Sequence, residues 1–211
     1  MDKLDLAKTY KTYYKSGTEP ELVGFGEAPY LTIAGQGDPN GERFAQAAAA
    51  LYATAYGAKA LGKAHGTDFT APKLEGLWWV DSDMPALEVP RPEWRWKLLI
   101  RMPDFVTGVL AAEAREKTAL KKKELAADIA HVAYETMAEG LCVQMLHVGP
   151  YETEPETVER MNAYMETRGL VQNGLHHEIY LTDPRKTPPS GWKTILRFPV
   201  EQRDLSDADG P

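Results

Sequence analysis

Glu178 stands between His176 and Tyr180 in the run from Leu175 to Leu181. In an extended strand, alternate side chains share a face, so His176, Glu178 and Tyr180 fall on one side and His177, Ile179 and Leu181 on the other. Ile179 and Leu181 are expected to pack under helices, which leaves the glutamate between a histidine and a tyrosine on the opposite face. A carboxylate in an apolar cleft has two uses: it attracts cations, and a raised pKa suits it to act as a general base near neutral pH. A solvent-exposed glutamate on an ordinary sheet face is the competing reading of the same residues.

Aromatic residues supply the other half of a candidate site. The run Leu74 to Val80 closes on Asp81-Ser82-Asp83, as Leu175 to Leu181 closes on Thr182-Asp183-Pro184. Aligning either Asp81 or Asp83 with Asp183 shifts the run by an even number. Trp78 then lies on the face of Glu178 and Trp79 on the helix-packed face. Trp78 is read as a flat wall for a planar, cationic or aromatic ligand. Trp79 is open between core and pocket. Met145 and His147 share a strand face, so either could line a cleft. Tyr151 follows the Gly149-Pro150 turn, and Tyr134 is placed on a helix covering the cleft. Plain packing competes for each. Glu75 is a surface charge or a partner for Arg101 or Arg197, and those arginines are read as structural ion pairs.

The elements that must position these residues come in two copies. Residues 96–103 and 192–199 share Trp, Lys, Arg and Pro at four of eight positions, and the rest stay mostly apolar, as a duplicated supersecondary unit would. Copy one reads as a strand at Tyr30 to Ala34, a turn, a helix from Gly41 to about Gly62, a strand at Leu74 to Val80 and the first Trp-Lys strand. Copy two reads as a strand at Leu141 to Val148, a helix from Pro155 to Gly169, a strand at Leu175 to Leu181 and the second Trp-Lys strand. Pro155, Glu156 and Glu159 suit a helix start. The predicted fold is α+β: a pseudo-two-fold pair of βαββ modules, with antiparallel sheets around a central ligand cleft. The expected organisation is an N-terminal helix and arm over 1–29, a first module over 30–103, a linker helix over 104–140, a second module over 141–201 and a flexible tail over 202–211.

Composition narrows the partners. The 211 residues carry 24 Lys and Arg against 31 Asp and Glu, a net charge of −7, which argues against nucleic acid and against an anionic membrane surface. Cys142, the single cysteine, allows no internal disulfide and reads as a buried strand thiol. No metal-ligand spacing appears, and His176 and His177 point to opposite faces, so neither a metal nor a cofactor is expected. The first residues lack a secretory pattern, and Ala45 to Leu61 is too short and small for a membrane span; a cytoplasmic monomer or homodimer is expected.

The run Gly35 to Asn40 with Leu51 to Tyr56, the run Leu74 to Trp79, the run His176 to Arg185 and the final Trp192-Lys193-Thr194 together resemble the GyrI-like small-molecule-binding family over about Leu4 to Val200. The resemblance implies two βαββ modules with a cleft on their symmetry axis and a partly buried carboxylate at the Glu178 motif. With no helix-turn-helix candidate in the arm, the chain is similar to the stand-alone members. For some of these the resemblance implies hydrolysis of the cyclopropyl ring of cyclopropanoid DNA-alkylating compounds. Glu178 would then activate water, and Tyr134, Tyr151 or Tyr180 would stabilise charge on the carbonyl oxygen. The other function class is a protein that holds planar or cationic aromatic drugs without turning them over.

Overall fold

The computed structural model describes residues 3–203. In chain order the strands are β1 (Glu21–Gln36), β2 (Glu75–Trp79), β3 (Arg95–Arg101), β4 (Ala133–Val148), β5 (Leu170–Gln172), β6 (His176–Tyr180) and β7 (Lys193–Gln202). The helices are α1 (Leu6–Thr9), α2 (Lys11–Tyr14), α3 (Glu42–Ala64), α4 (Gly108–Lys121), α5 (Ala126–Ala130) and α6 (Glu154–Glu166). The sheet runs β4-β1-β3-β2-β6-β7-β5, and β4 also pairs with β7. Six antiparallel strands therefore close into a barrel-like ring, with β5 appended to β7.

The duplication is visible in this ring. β1, α3, β2 and β3 form one βαββ unit; β4, α6, β6 and β7 form the other. The units meet twice, at β1–β4 and at β2–β6. Each unit's helix packs on the same side of its strands. Leu31, Ile33, Leu98 and Ile100 bury against Ala47, Leu51, Ala55 and Ala58 of α3. Val143, Met145, Leu196 and Phe198 bury against Met161 and Met165 of α6. The alanine-rich face of α3 brings its axis close to the sheet, and each such apolar group contributes roughly 25 cal/mol per Å² removed from water. The far side of the sheet is covered by α1 and α2, whose Leu6, Tyr13 and Tyr14 pack on Tyr30, Leu99, Ile179 and Ile195.

Three elements differ from their sequence reading. The segment 104–140 is not a single linker helix: α4 ends at Lys121, α5 is one short turn, and β4 begins at Ala133. Leu125, Ile129 and Val132 do recur at helical spacing, but the edge of β1 pairs with the chain from Ala133 onward and overrides that local preference. The extended arm before Tyr30 is the first half of β1, which pairs Glu21 to Phe25 with Gln144 to Gly140. Ile179 is buried, but under α1 and α2 rather than under the helices of the repeat. The tail expected over 202–211 lies, from residue 204, outside the described residues.

The register of the duplication also differs from the sequence repeat. Trp192 matches Trp94, not Trp96. Each of the two donates its indole N–H to a carbonyl five residues back, Val89 and Thr187 respectively. Each also accepts at its own carbonyl from a glycine, Gly37 and Gly149. Trp96 instead is fully buried, flat against Gly35, where a Cβ would lie 2.2 Å from the ring. The displacement is two residues, so side chains keep their faces. In this register Gly76 is the counterpart of Glu178, Trp78 of Tyr180, and Glu42 of Glu154.

Candidate functional site

The two repeat helices cover the outer strands and leave the central pair, β2 and β6, open between them. A cavity of about 1970 Å³ fills that space. Period-two alternation on β6 points His176, Glu178 and Tyr180 into it, and Trp78 enters from β2. Gly76 sits directly opposite Glu178 in the ladder. A Cβ on Gly76 would lie 2.9 Å from the indole nitrogen of Trp78 and 3.1 Å from the hydroxyl of Tyr180, so the missing side chain is what lets those two groups meet.

They meet in a chain of hydrogen bonds. Trp78 Nε1 donates to the Tyr180 hydroxyl at 3.0 Å, and that hydroxyl donates to Glu178 Oε2 at 2.7 Å. His176 Nε2 lies 3.1 Å from Glu178 Oε1. The Glu178 side chain is 12% exposed, so it is reached from the cavity and not from open solvent. Burial first, then the Glu178 charge, raise the Tyr180 hydroxyl well above its ordinary value, so it stays a neutral donor. Phe44 of α3 stacks on Trp78 with ring centroids 5.7 Å apart, and Trp94 meets Trp78 edge-on at 6.2 Å. On the other side Tyr151 packs against Trp192 at 4.9 Å and edge-on to Tyr180 at 6.2 Å. The result is an aromatic hollow with a fixed carboxylate at its floor.

A second carboxyl group reaches the same cavity. Glu154 is the first residue of α6, and its Oε1 is buried without a hydrogen-bond partner among the described residues. Burial and the charge of Glu178, with a smaller contribution from Glu152, hold its carboxyl well above the usual range. Tyr151 is pushed up to about 12 by burial and by the same two cavity glutamates.

The cavity gathers Trp78, Trp79, Tyr151, His176, Glu178 and Tyr180 of the residues singled out from sequence. It does not gather Tyr134, Met145 or His147. Tyr134 lies on β4 opposite Leu31, against the α3 core, because the helical spacing ends at Val132 and the strand starts at Ala133. Met145 is 1% exposed beneath Met161 and Met165. His147 is turned to the start of α6, with Nδ1 2.8 Å from the Thr157 hydroxyl and Nε2 3.1 Å from the Pro150 carbonyl. Glu154, Phe44, Trp94 and Trp192 were not singled out as site residues. The one available signal for Glu154 was its place just before Pro155, which reads as a helix start and not as a cavity wall.

On the opposite side of β6 lies a buried polar network. Glu75, fully buried, accepts from Tyr13 at 2.5 Å and lies 3.0 Å from His177 Nε2; it does not pair with Arg101 or Arg197. His177 Nδ1 is 2.7 Å from Glu139, which Arg197 also grips at 2.7 Å. Burial opposes the charges, but the neighbours prevail: His177 is raised to about 9 and Glu139 is lowered to about 2. Arg101 instead stacks on Tyr10 and Tyr13. Burial pushes the Cys142 thiol up to about 12, which leaves it a poor nucleophile at neutral pH. Among the described residues, no group of three or more His, Cys, Asp or Glu is placed to hold a metal ion, and no helix is long and apolar enough to cross a membrane.

A family model described as the GyrI-like small molecule binding domain matches residues 108–201. Among solved structures, an uncharacterized conserved protein from Listeria innocua is 40% identical with a TM-score of 0.88, over 94% of this chain and 100% of that one. A Listeria innocua protein described as a hydrolase is also 40% identical, with a TM-score of 0.84 over the same shares of both chains. The EcmrR C-terminal domain, 15% identical with a TM-score of 0.56, covers 87% of this chain and 98% of its own and shares the fold alone. No curated protein matches this sequence.

Proposed function

Since the chain belongs to the GyrI-like small-molecule-binding family, we propose that its cavity takes a planar aromatic ligand bearing a strained cyclopropyl ring and opens that ring with water. The observation that carries the reading is Glu178, fixed at the floor of an aromatic hollow by Tyr180 and His176. The 40% identity to a protein described as a hydrolase supports a hydrolytic reaction over simple retention.

The geometry suits a ligand whose cyclopropane is fused to a cyclohexadienone. The aromatic walls of Phe44, Trp78 and Trp94 on one side, and Tyr151 and Trp192 on the other, hold a flat ring system by stacking. Glu178 takes a proton from a water molecule, whose oxygen bonds to the ring methylene. The strained carbon–carbon bond breaks, and its electron pair moves through the dienone to the carbonyl oxygen, leaving an aromatic ring. Strain and aromatisation drive the step, so the protein contributes position and a base, the latter worth roughly 10²–10⁴ in rate.

The test is to incubate a spirocyclopropyl dienone with the wild type and with Glu178→Gln. The wild type is expected to release a phenol carrying one added water. Glu178→Gln is expected to bind the compound and to turn it over roughly 10²–10⁴ times more slowly. Recovery of intact compound from both proteins alike would make this a sequestering protein for aromatic drugs.

A further inference from the structure

The geometry points to Glu154 as the acid of this site: a neutral carboxyl group that donates to the ligand's carbonyl oxygen and protonates it as the ring opens. The inference rests on the reading of Glu178 as the base and names the group that protonates the oxygen on which negative charge develops.

Three observations converge on it. Glu154 lines the cavity, and its buried Oε1 has no partner among the described residues. Buried polar atoms are nearly always satisfied, so an orphaned oxygen on a cavity-lining carboxyl group leaves that group short of a partner. The counterpart residue in the first module, Glu42 at the start of α3, is exposed and accepts from Gln46 at 2.9 Å. Only one of the two matched glutamates is turned inward and left unsatisfied.

The Trp78 N–H serves Tyr180, the Tyr180 hydroxyl proton serves Glu178, and His176 Nε2 lies 3.1 Å from Glu178. His176 Nδ1, like Glu154 Oε1, is buried without a partner among the described residues, and on a neutral ring whose Nε2 carries the proton toward Glu178 it is an acceptor and not a donor. Tyr151 is a far weaker acid than a carboxyl group. Glu154, by contrast, keeps its proton at neutral pH because burial and two negative neighbours, Glu178 on β6 and Glu152 in the preceding turn, oppose its ionisation. The start of α6 favours the anion, and those effects outweigh it. Lys73, Arg91, Arg185 and Lys186 also border the cavity and are not among the groups that shift it. A carboxyl group that keeps its proton beside a second carboxyl group can serve as the acid of an acid–base pair.

The step balances. One proton of water goes to Glu178, and the water oxygen bonds to the methylene carbon. The bond from that carbon to the spiro centre breaks, and the carbonyl oxygen takes the proton of Glu154. The product is an alcohol and a phenol, one water richer than the substrate. Transfer of one proton from Glu178 to Glu154 through solvent restores the site. A neutral acid at this position also favours ligands with a carbonyl acceptor over cations of similar shape.

Two measurements test it. In Glu178→Gln a bound spirocyclopropyl dienone stays intact, and its carbonyl stretching frequency reports hydrogen bonding directly. The frequency is expected to be lower than in a second variant that adds Glu154→Leu; equal frequencies would overturn the assignment. In the wild-type background, Glu154→Gln keeps a neutral N–H donor but has no proton to release. Its ligand affinity is expected to stay within about threefold, while turnover falls roughly 10²-fold. Turnover within about twofold of wild type would likewise overturn it. A wild type that yields no hydrated phenol speaks against the proposed reaction and not against Glu154, since the carbonyl stretch still decides whether the acid touches the oxygen.

Discussion

The two modules share a topology and differ where they meet. At the centre of the β2–β6 ladder the second module places Glu178 and the first places Gly76, directly paired with it. One position along the same face, the second module has Tyr180 and the first Trp78, and these counterparts hydrogen-bond to each other across the symmetry axis. At the helix starts, Glu154 faces the cavity while Glu42 faces solvent. The first module has become an aromatic wall and the second a carboxyl-bearing floor. A strictly symmetric pair would have set two carboxylates face to face at the axis, where like charges directly opposite on a sheet repel. The duplication supplies the cleft, and the loss of symmetry supplies the chemistry.

The largest expected effect separates two arginines that the sequence repeat treats as equal. Arg197 is fully buried between Glu139 and Gln144, whereas Arg101 lies over tyrosine rings. Arg197→Met leaves the buried Glu139 charge with His177 alone and should cost about 3–5 kcal/mol of unfolding free energy. Arg101→Met should cost only about 1–2 kcal/mol, the value of a partly desolvated cation–π contact. Denaturant unfolding of both variants checks the difference, and equal costs would mean the two arginines carry equal weight despite their different partners.

Next comes the glycine opposite the glutamate. Gly76→Ala should push the Trp78 indole away from Tyr180 and lower turnover by up to about 10²-fold through misplacement of Glu178. Gly24→Ala, where nothing lies within 4 Å of the added methyl group, should leave turnover unchanged. Steady-state kinetics on the two variants reads this directly. Trp78→Leu should weaken ligand binding by roughly tenfold, the worth of one lost stacking contact, measured by tryptophan-independent calorimetry.

The last effect is on stability and depends on pH. In the unfolded chain Glu154 ionises near about 4.3, while in the fold it holds its proton to higher pH. Between those limits the unfolded state binds fewer protons, so stability falls as pH rises. Glu154→Gln removes that slope. Its Tm should match wild type near pH ~4 and exceed it near pH ~8, by a free energy above ~1.4 kcal/mol if the shift is more than one unit. Glu42→Gln, at the matched but exposed position, is the control.

The parts of this site legible in the sequence are those set by parity. Alternation along Leu175 to Leu181 fixes which side Glu178 shares with His176 and Tyr180, and an even offset carries Trp78 to the same side whichever aspartates are aligned. Parity cannot say which helix lies over which strand. The Trp-Lys repeat therefore suggests Trp96 as the partner of Trp192, while the turn geometry selects Trp94. Nor does parity report where a strand begins: Val132 sits at helical spacing from Leu125 and Ile129, yet β1 recruits Tyr134, two residues later, into β4. Glu154 was hidden for a related reason. An acidic residue at a helix start is sufficiently explained by the helix dipole, and only the placement of α6 beside β6 turns it into a cavity wall.

The most direct test of the central claim is a crystal structure of Glu178→Gln with a spirocyclopropyl dienone bound. The account predicts the flat ring system between Trp78 and Tyr151, with the cyclopropyl methylene turned toward residue 178 and the carbonyl oxygen toward Glu154. A ligand seated outside the hollow between α3 and α6, or one whose cyclopropyl ring points away from residue 178, would contradict it.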